Sequence, residues 1–141
     1  MRTATITAII AVVAAIAASS AAAANTGYFK TSDGSIWCVW GGGVQCGIKN
    51  GFLKPKPKNT CKGSLDYVGN RIGFAAKGKA KVVACAGDAG PFGNPKATKV
   101  LKAGKTWKKG GMSCTATRSS MTCKNKSHHG FMVSRASYRT F

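Results

Sequence analysis

At 141 residues the chain has room for one domain. Its 22 lysines and arginines face 3 aspartates and no glutamate, a net charge of +19. Three carboxylates leave little choice for acid–base designs built on paired Asp or Glu, and the surplus of cations marks a surface that repels itself and draws polyanions.

The first residues read as an export signal. Met1-Arg2 supplies a positive start, residues 8–18 are eleven unbroken apolar positions, and Ala22-x-Ala24 offers the small residues that signal peptidase requires. Cleavage is expected before Asn25, giving a signal at residues 1–24 and a single secreted domain at residues 25–141. The apolar run is shorter than the roughly 20 residues that span a bilayer. Loss of Arg2 alone leaves +18 on 117 residues, and 17 of the remaining 21 cations are lysines. Lysine is a strongly hydrated point charge, suited to loose attraction rather than to planar recognition. All six cysteines, at 38, 46, 61, 85, 114 and 123, follow the signal. In an exported chain that is a disulfide framework. Zinc is the competing use, but there is no C-x-x-C and the only histidines are adjacent.

In chain order, Ser35–Trp40 and Val44–Ile48 form a hairpin about Gly41-Gly42-Gly43, apolar on both faces and therefore central. Centring it on Gly42 sets Cys38 opposite Cys46. Arg71–Ala76 and Ala80–Cys85 form a second hairpin about Lys77-Gly78-Lys79, with Phe74 opposite Val82. Residues 94–104 allow a short helix, with Asn94 as N-cap, Pro95 as first residue and Gly104 as terminator. Met112–Thr117 and Met121–Lys124 alternate apolar with hydroxyl residues, turn at Arg118-Ser119 and set Cys114 opposite Cys123. Gly130–Ser134 is the last strand. Cys61 and Cys85 then pair by elimination. Short strands at close spacing predict an all-β fold, a small disulfide-stapled sandwich or barrel of antiparallel hairpins.

Candidate chemistry is sparse. Asp33-Gly34, Asp66 and Asp88 read as turn or loop residues. His128 and His129, with Lys124, Ser134 and Arg135, are the best enzymatic candidates, as a nuclease-like hydrolase using His129. Adjacent histidines do not provide the two separated acid–base groups such a reaction needs, and a backbone-bonded His129 beside a solvated His128 is the simpler reading. No catalytic residue, metal or cofactor is assigned. The lysines form two sets. Lys54, Lys56 and Lys58 alternate with prolines in what reads as a stiff extended rod. Lys96, Lys99, Lys102, Lys105 and Lys108 recur every third residue, with Lys109 and Trp107 beside the last. Lys77, Lys79 and Lys81 cluster at a hairpin tip. Trp37 and Trp40 are expected in the core, and Trp107 is the one aromatic expected at the surface.

Taken together, Phe29-x4-Gly34-Ser35-Ile36-Trp37-Cys38, Val44-Gln45-Cys46, Cys61, Cys85-x-Gly87-Asp88, Val100-Leu101-x2-Gly104-x2-Trp107, Gly111-Met112-x-Cys114, Met121-Thr122-Cys123-x-Asn125 and His129-Gly130-Phe131-x2-Ser134-Arg135-x2-Tyr138 resemble a family of small secreted bacterial six-cysteine domains of unknown function. The resemblance spans nearly the whole mature chain. It implies a fold and a location, and no activity. The family resembled often has proline where this chain has Lys102, which tilts residues 96–103 toward an extended strand and turn. The lysine runs look particular to this chain.

The function expected is a secreted, non-enzymatic binding module that associates electrostatically with anionic envelope polymers, anionic lipid or, non-specifically, nucleic acid. The alternatives are the His129 hydrolase and an inhibitor or protein-interaction domain.

Overall fold

A computed structural model describes residues 27–141; the expected signal and the expected cleavage before Asn25 lie outside the described residues. Strands β1 (Gly27–Lys30), β2 (Ile36–Trp40), β3 (Gly43–Ile48), β4 (Asp66–Ala75), β5 (Lys81–Ala86) and β6 (Lys99–Val100) build one sheet. Its spatial order is β5-β4-β3-β2-β1-β6. Strands β7 (Thr106–Lys109), β8 (Met112–Ala116), β9 (Ser120–Lys124), β10 (Gly130–Ser134) and β11 (Tyr138–Thr140) form the second, a meander in the order β11-β10-β9-β8-β7. The fold is an all-β, disulfide-stabilised sandwich.

Alternation along each strand decides which residues fill the space between the sheets. Ile36, Cys38, Val44, Cys46, Ile48, Ile72 and Phe74 point inward from the first sheet. Met112, Cys114, Ala116, Met121, Cys123, Phe131 and Val133 meet them from the second. Phe74 and Phe131 touch at a centroid distance of 5.4 Å, tilted by 52°, which avoids the face-to-face sandwich that ring quadrupoles disfavour. Leu53, fully buried, closes one end from the loop after β3, where its N–H donates to Gly69 O.

Cys38 faces Cys46 and Cys114 faces Cys123 in register, and both pairs are bonded; the third disulfide is Cys61–Cys85. With every cysteine oxidised, no thiolate is left as a metal ligand.

Three local expectations are corrected. Ile72, not Phe74, faces Val82: the last pair of the ladder is Gly73–Lys81, so seven residues, 74–80, connect the strands about Lys77 where a three-residue turn about Gly78 was expected. Gly78 takes φ +92° there, and Asn125 Nδ2 donates to the carbonyls of Ala75 and Gly78, holding the wide turn open. Gly130–Ser134 is not the last strand: the chain doubles back and β11 adds itself to β10, with Val133 facing Tyr138. Residues 94–104 form no α-helix; the strand and turn that the family resemblance implied for 96–103 are found instead, as Lys99–Val100 and the turn closed by Lys105 N–H on Lys102 O. Asn94 does cap, its side-chain oxygen accepting from Ala97 N–H, but only a single 3-10 turn follows at Pro95–Ala97. The chain then extends as β6, parallel to β1, because backbone pairing with Phe29 and Lys30 is open to it at the sheet edge.

The outer face of the six-stranded sheet is partly roofed. A 3-10 turn at Gly90–Phe92 buries Pro91 and places Phe92 6.0 Å from Trp37. Trp37 is therefore covered as expected, but on the outer face rather than between the sheets. Beneath the same roof lies Arg71, 4% exposed, whose Nη1 meets Asp88 Oδ1 at 3.1 Å while Nη2 donates to Asp88 O.

Candidate polyanion-binding edge

The β6–β7 side of the sandwich carries the long lysine row. After β6, Leu101 N–H donates to Lys30 O, and Lys105 N–H donates to Lys102 O in a tight turn through Gly104. Gly104 N–H donates to Ala116 O and Ala116 N–H to Lys105 O, so the turn is stitched to the start of the second sheet. The chain reverses again at Gly110-Gly111, with φ of +59° and +78°, the conformation that hairpin turns demand and glycine adopts without penalty. Lys96, Lys99, Lys102, Lys105, Lys108 and Lys109 are all exposed along this one strip of chain.

Aromatic side chains floor the strip. The ring of Trp107 stacks on Phe29 at 5.1 Å and 25°, and lies 5.5 Å from Trp40 at 40°. Lys109 Nζ sits 4.4 Å above the Trp40 ring. Tyr28, Phe29, Trp40, Lys99, Leu101 and Trp107 surround a groove of about 480 Å³. Gly27 also lines it, and a Cβ there would fall 1.8 Å from Trp40 Nε1, so only glycine leaves the indole where it is. Trp107, expected at the surface, is half-buried and packs against the core, while Phe52 and Phe141 are the exposed aromatics. Trp40, expected in the core, is half-buried too and lines the same groove.

The second lysine set is elsewhere. Lys54, Lys56 and Lys58 run beside Phe52 and Tyr67, next to β4, four strand spacings from β6, or about 19 Å. The segment is not a free extended rod. It bends at Lys54-Pro55, a cis peptide; Tyr67 Oη donates to Pro57 O; and Lys56 Nζ rests 4.0 Å over the Phe52 ring. Lys77, Lys79 and Lys81 line a separate trough of about 580 Å³ at the β4–β5 turn, with Val39, Gly43 and Gly73 in its lining. The cations thus form three patches, and only Lys96–Lys109 shares its surface with a pair of indoles.

No carboxylate lies in that strip. Asp33 is in the β1–β2 turn, where its Oδ1 accepts from Thr31 Oγ1, Ser35 N and Ser35 Oγ. Burial alone would raise its pKa, but those hydrogen bonds, with the charge of Arg135, outweigh burial and hold the carboxyl below its ordinary value of 3.8. Asp88 is engaged with Arg71, the one ion pair among the described residues, and Asp66 opens β4.

The histidine group does not converge. His128 is exposed, with φ +62°, and the backbone of His129 is held by Asn125, whose N–H donates to His129 O and whose Oδ1 accepts His129 N–H. Lys124 is near, facing Gly130. Ser134 closes the other end of β10 and Arg135 follows it, roughly 16 Å along the strand from His129. There Ser134 Oγ donates to Ser137 O and Arg135 Nη2 to Lys49 O.

Asn125 and Arg71 are the residues sequence reasoning missed. Asn125 sits inside the Met121-Thr122-Cys123-x-Asn125 motif, one residue past the end of β9, which hints at a structural side chain. For Arg71 the only signal was a lone arginine in an apolar strand.

Fold and surface together define a disulfide-linked β-sandwich with cationic patches and one aromatic groove. The chain belongs to the family of unknown function DUF6636, whose profile matches residues 8–141. No curated protein and no solved structure matches it.

Proposed function

We propose that the protein is an exported, non-enzymatic module that associates electrostatically with anionic envelope polymers or surfaces, the Lys96–Lys109 edge being its main contact. What carries this reading is the unneutralised state of that edge: six exposed lysines within fourteen residues, with every aspartate placed elsewhere. Like charges held this close raise a field that counter-charges relieve, and a polyanion relieves it with a gain of released counterions. Nucleic acid of any sequence would serve as a probe, because contacts to phosphates carry no sequence information. The test is capture from the producing cell's envelope fraction at low and at high salt. Anionic polymer retained at low salt and shed at moderate salt supports the proposal; a protein partner held equally at both would replace it with the interaction-domain reading.

A further inference from the structure

We infer that the groove floored by Trp107 and Trp40 is a stacking site for one charged sugar ring of an acidic glycan. The inference rests on the electrostatic reading above for its attraction, and adds to it a preference for polyanions whose rings bear their own charge.

The aromatic geometry sets the shape of the ligand. One face of Trp107 is taken by Phe29, stacked at 5.1 Å. Trp40 is in contact at 5.5 Å and inclined by 40°, so the two indoles form an open floor rather than a parallel slot into which a flat base could slide. A ring must lie upon this floor. A saturated sugar does so through its C–H face, which meets the negative face of an indole favourably.

The cations set the position of the charge. Lys99 lines the groove, and Lys109, outside its lining, holds its Nζ 4.4 Å from the centre of the Trp40 ring. An anion meeting these ammonium groups lies within a few ångströms of the stacked ring itself. A uronic or sulfated sugar carries its carboxylate or sulfate on that ring. In a nucleic acid the stacked base is neutral and the phosphate is a whole sugar away. The donors agree: Trp37 donates its indole N–H to Gly34 O, whereas that of Trp107 meets no acceptor among the described residues. Lys99, the Tyr28 hydroxyl and the Asn94 amide lie in the same lining, so the groove offers several donors to an acceptor-rich ring.

The groove also stands apart from the other cationic patches in chemistry. The trough beside Lys77, Lys79 and Lys81 is lined by Trp40, Phe74 and Gln45 among glycine and aliphatic residues, and Trp107 is not part of it. Beside Lys54–Lys58 there is no indole: the aromatic pair there is Phe52 and Tyr67, with centroids 5.9 Å apart and Lys56 over Phe52. Ring preference should therefore depend on Trp107 and not on the other lysine sets.

The experiment compares three probes at matched charge: a heparin octasaccharide, polyphosphate, which has charge but no rings, and oligothymidylate. Wild type, Trp107→Leu and the distal control Lys54→Gln/Lys56→Gln/Lys58→Gln are titrated at one moderate salt concentration. Leucine keeps an apolar partner for Phe29 while removing the stacking face. The expected result is a loss of about fivefold or more for the octasaccharide in Trp107→Leu, the scale of an aromatic anchor, with polyphosphate changed less than twofold and the control keeping the octasaccharide preference. Should Trp107→Leu fail to fold, the intrinsic tryptophan fluorescence of the wild type reads the same contact: the octasaccharide should shift it and polyphosphate should not. Equal effects on octasaccharide and polyphosphate, or a larger loss for oligothymidylate, would overturn the glycan assignment. No binding of any of the three probes would instead overturn the electrostatic reading beneath it.

Discussion

The sulfurs of Cys46 and Cys123 touch at 3.9 Å across the middle of the sandwich, so the two hairpin disulfides stack on one another between the sheets. All four of their cysteines are fully buried, whereas Cys61 and Cys85 are half-buried at one side. Loop length alone would rank Cys61–Cys85 first, at about 3 kcal/mol from loop closure. Burial reverses that order. Serine at 38 and 46, or at 114 and 123, adds two hydroxyls without partners and a packing defect in the core to the lost cross-link. Each core pair is expected to lower the melting temperature more than Cys61→Ser/Cys85→Ser. Thermal unfolding of the three double variants checks this.

Asn125 ties the β9–β10 turn to the β4–β5 turn through both ends of its amide. Alanine would leave the carbonyls of Ala75 and Gly78 and the N–H groups of Ser127 and His129 without that partner, at a cost of about 3 kcal/mol. Asn125→Asp keeps the acceptor but sets a buried carboxylate oxygen against the carbonyls of Ala75 and Gly78, so at neutral pH it should cost at least as much as alanine. Chemical denaturation gives the three stabilities directly.

Arg71 is buried while its partner Asp88 has an 80% exposed side chain. The carboxylate is well screened, and Asp88 O still accepts from Nη2 when the carboxyl is removed. Asp88→Ala should therefore cost only about 1 kcal/mol. Arg71→Ala, which empties the space beneath Phe92, should cost more, about 2–3 kcal/mol. Equal effects of the two substitutions would mean that the ion pair, not the packing of the arginine stem, fixes the roof.

Asp33 gives a pH signature. Its folded-state pKa lies below the ordinary 3.8, so its contribution is complete above that value and fades as pH falls through the folded pKa. The melting-temperature gap between wild type and Asp33→Ala should be constant from pH 7 down to about 5 and shrink below pH 4. A gap that widens on acidification would contradict the sign.

The architecture was legible where pattern is strongest. The Cys38/Cys46 and Cys114/Cys123 registers follow from period-2 alternation about short turns, and these hairpins make the centre of the fold. The β4–β5 register was not legible, because the width of that turn is held by Asn125, some fifty residues away. Strand β11 was missed since Tyr138–Thr140 is short and mostly exposed, its pairing supplied by β10. The site was half legible. The spacing of Lys96–Lys108 was plain, but two facts lay outside the sequence: the 54–58 set is carried to another part of the sheet, and Trp40 turns toward Trp107. Both depend on strand order, which local pattern does not encode.

The most direct measurement of the central claim is the salt dependence of binding to double-stranded nucleic acid as a generic polyanion, for wild type and for a variant with Lys96, Lys99, Lys102, Lys105, Lys108 and Lys109 all changed to glutamine. Log K should fall linearly with log salt, by about 0.9 per phosphate neutralised, and duplexes of different sequence should bind alike. The glutamine variant should keep its fold and show a clearly shallower slope, while glutamine at Lys54, Lys56 and Lys58 should change it less. A salt response that is flat, or that is the same with and without the Lys96–Lys109 lysines, would contradict the assignment of this edge as the polyanion contact.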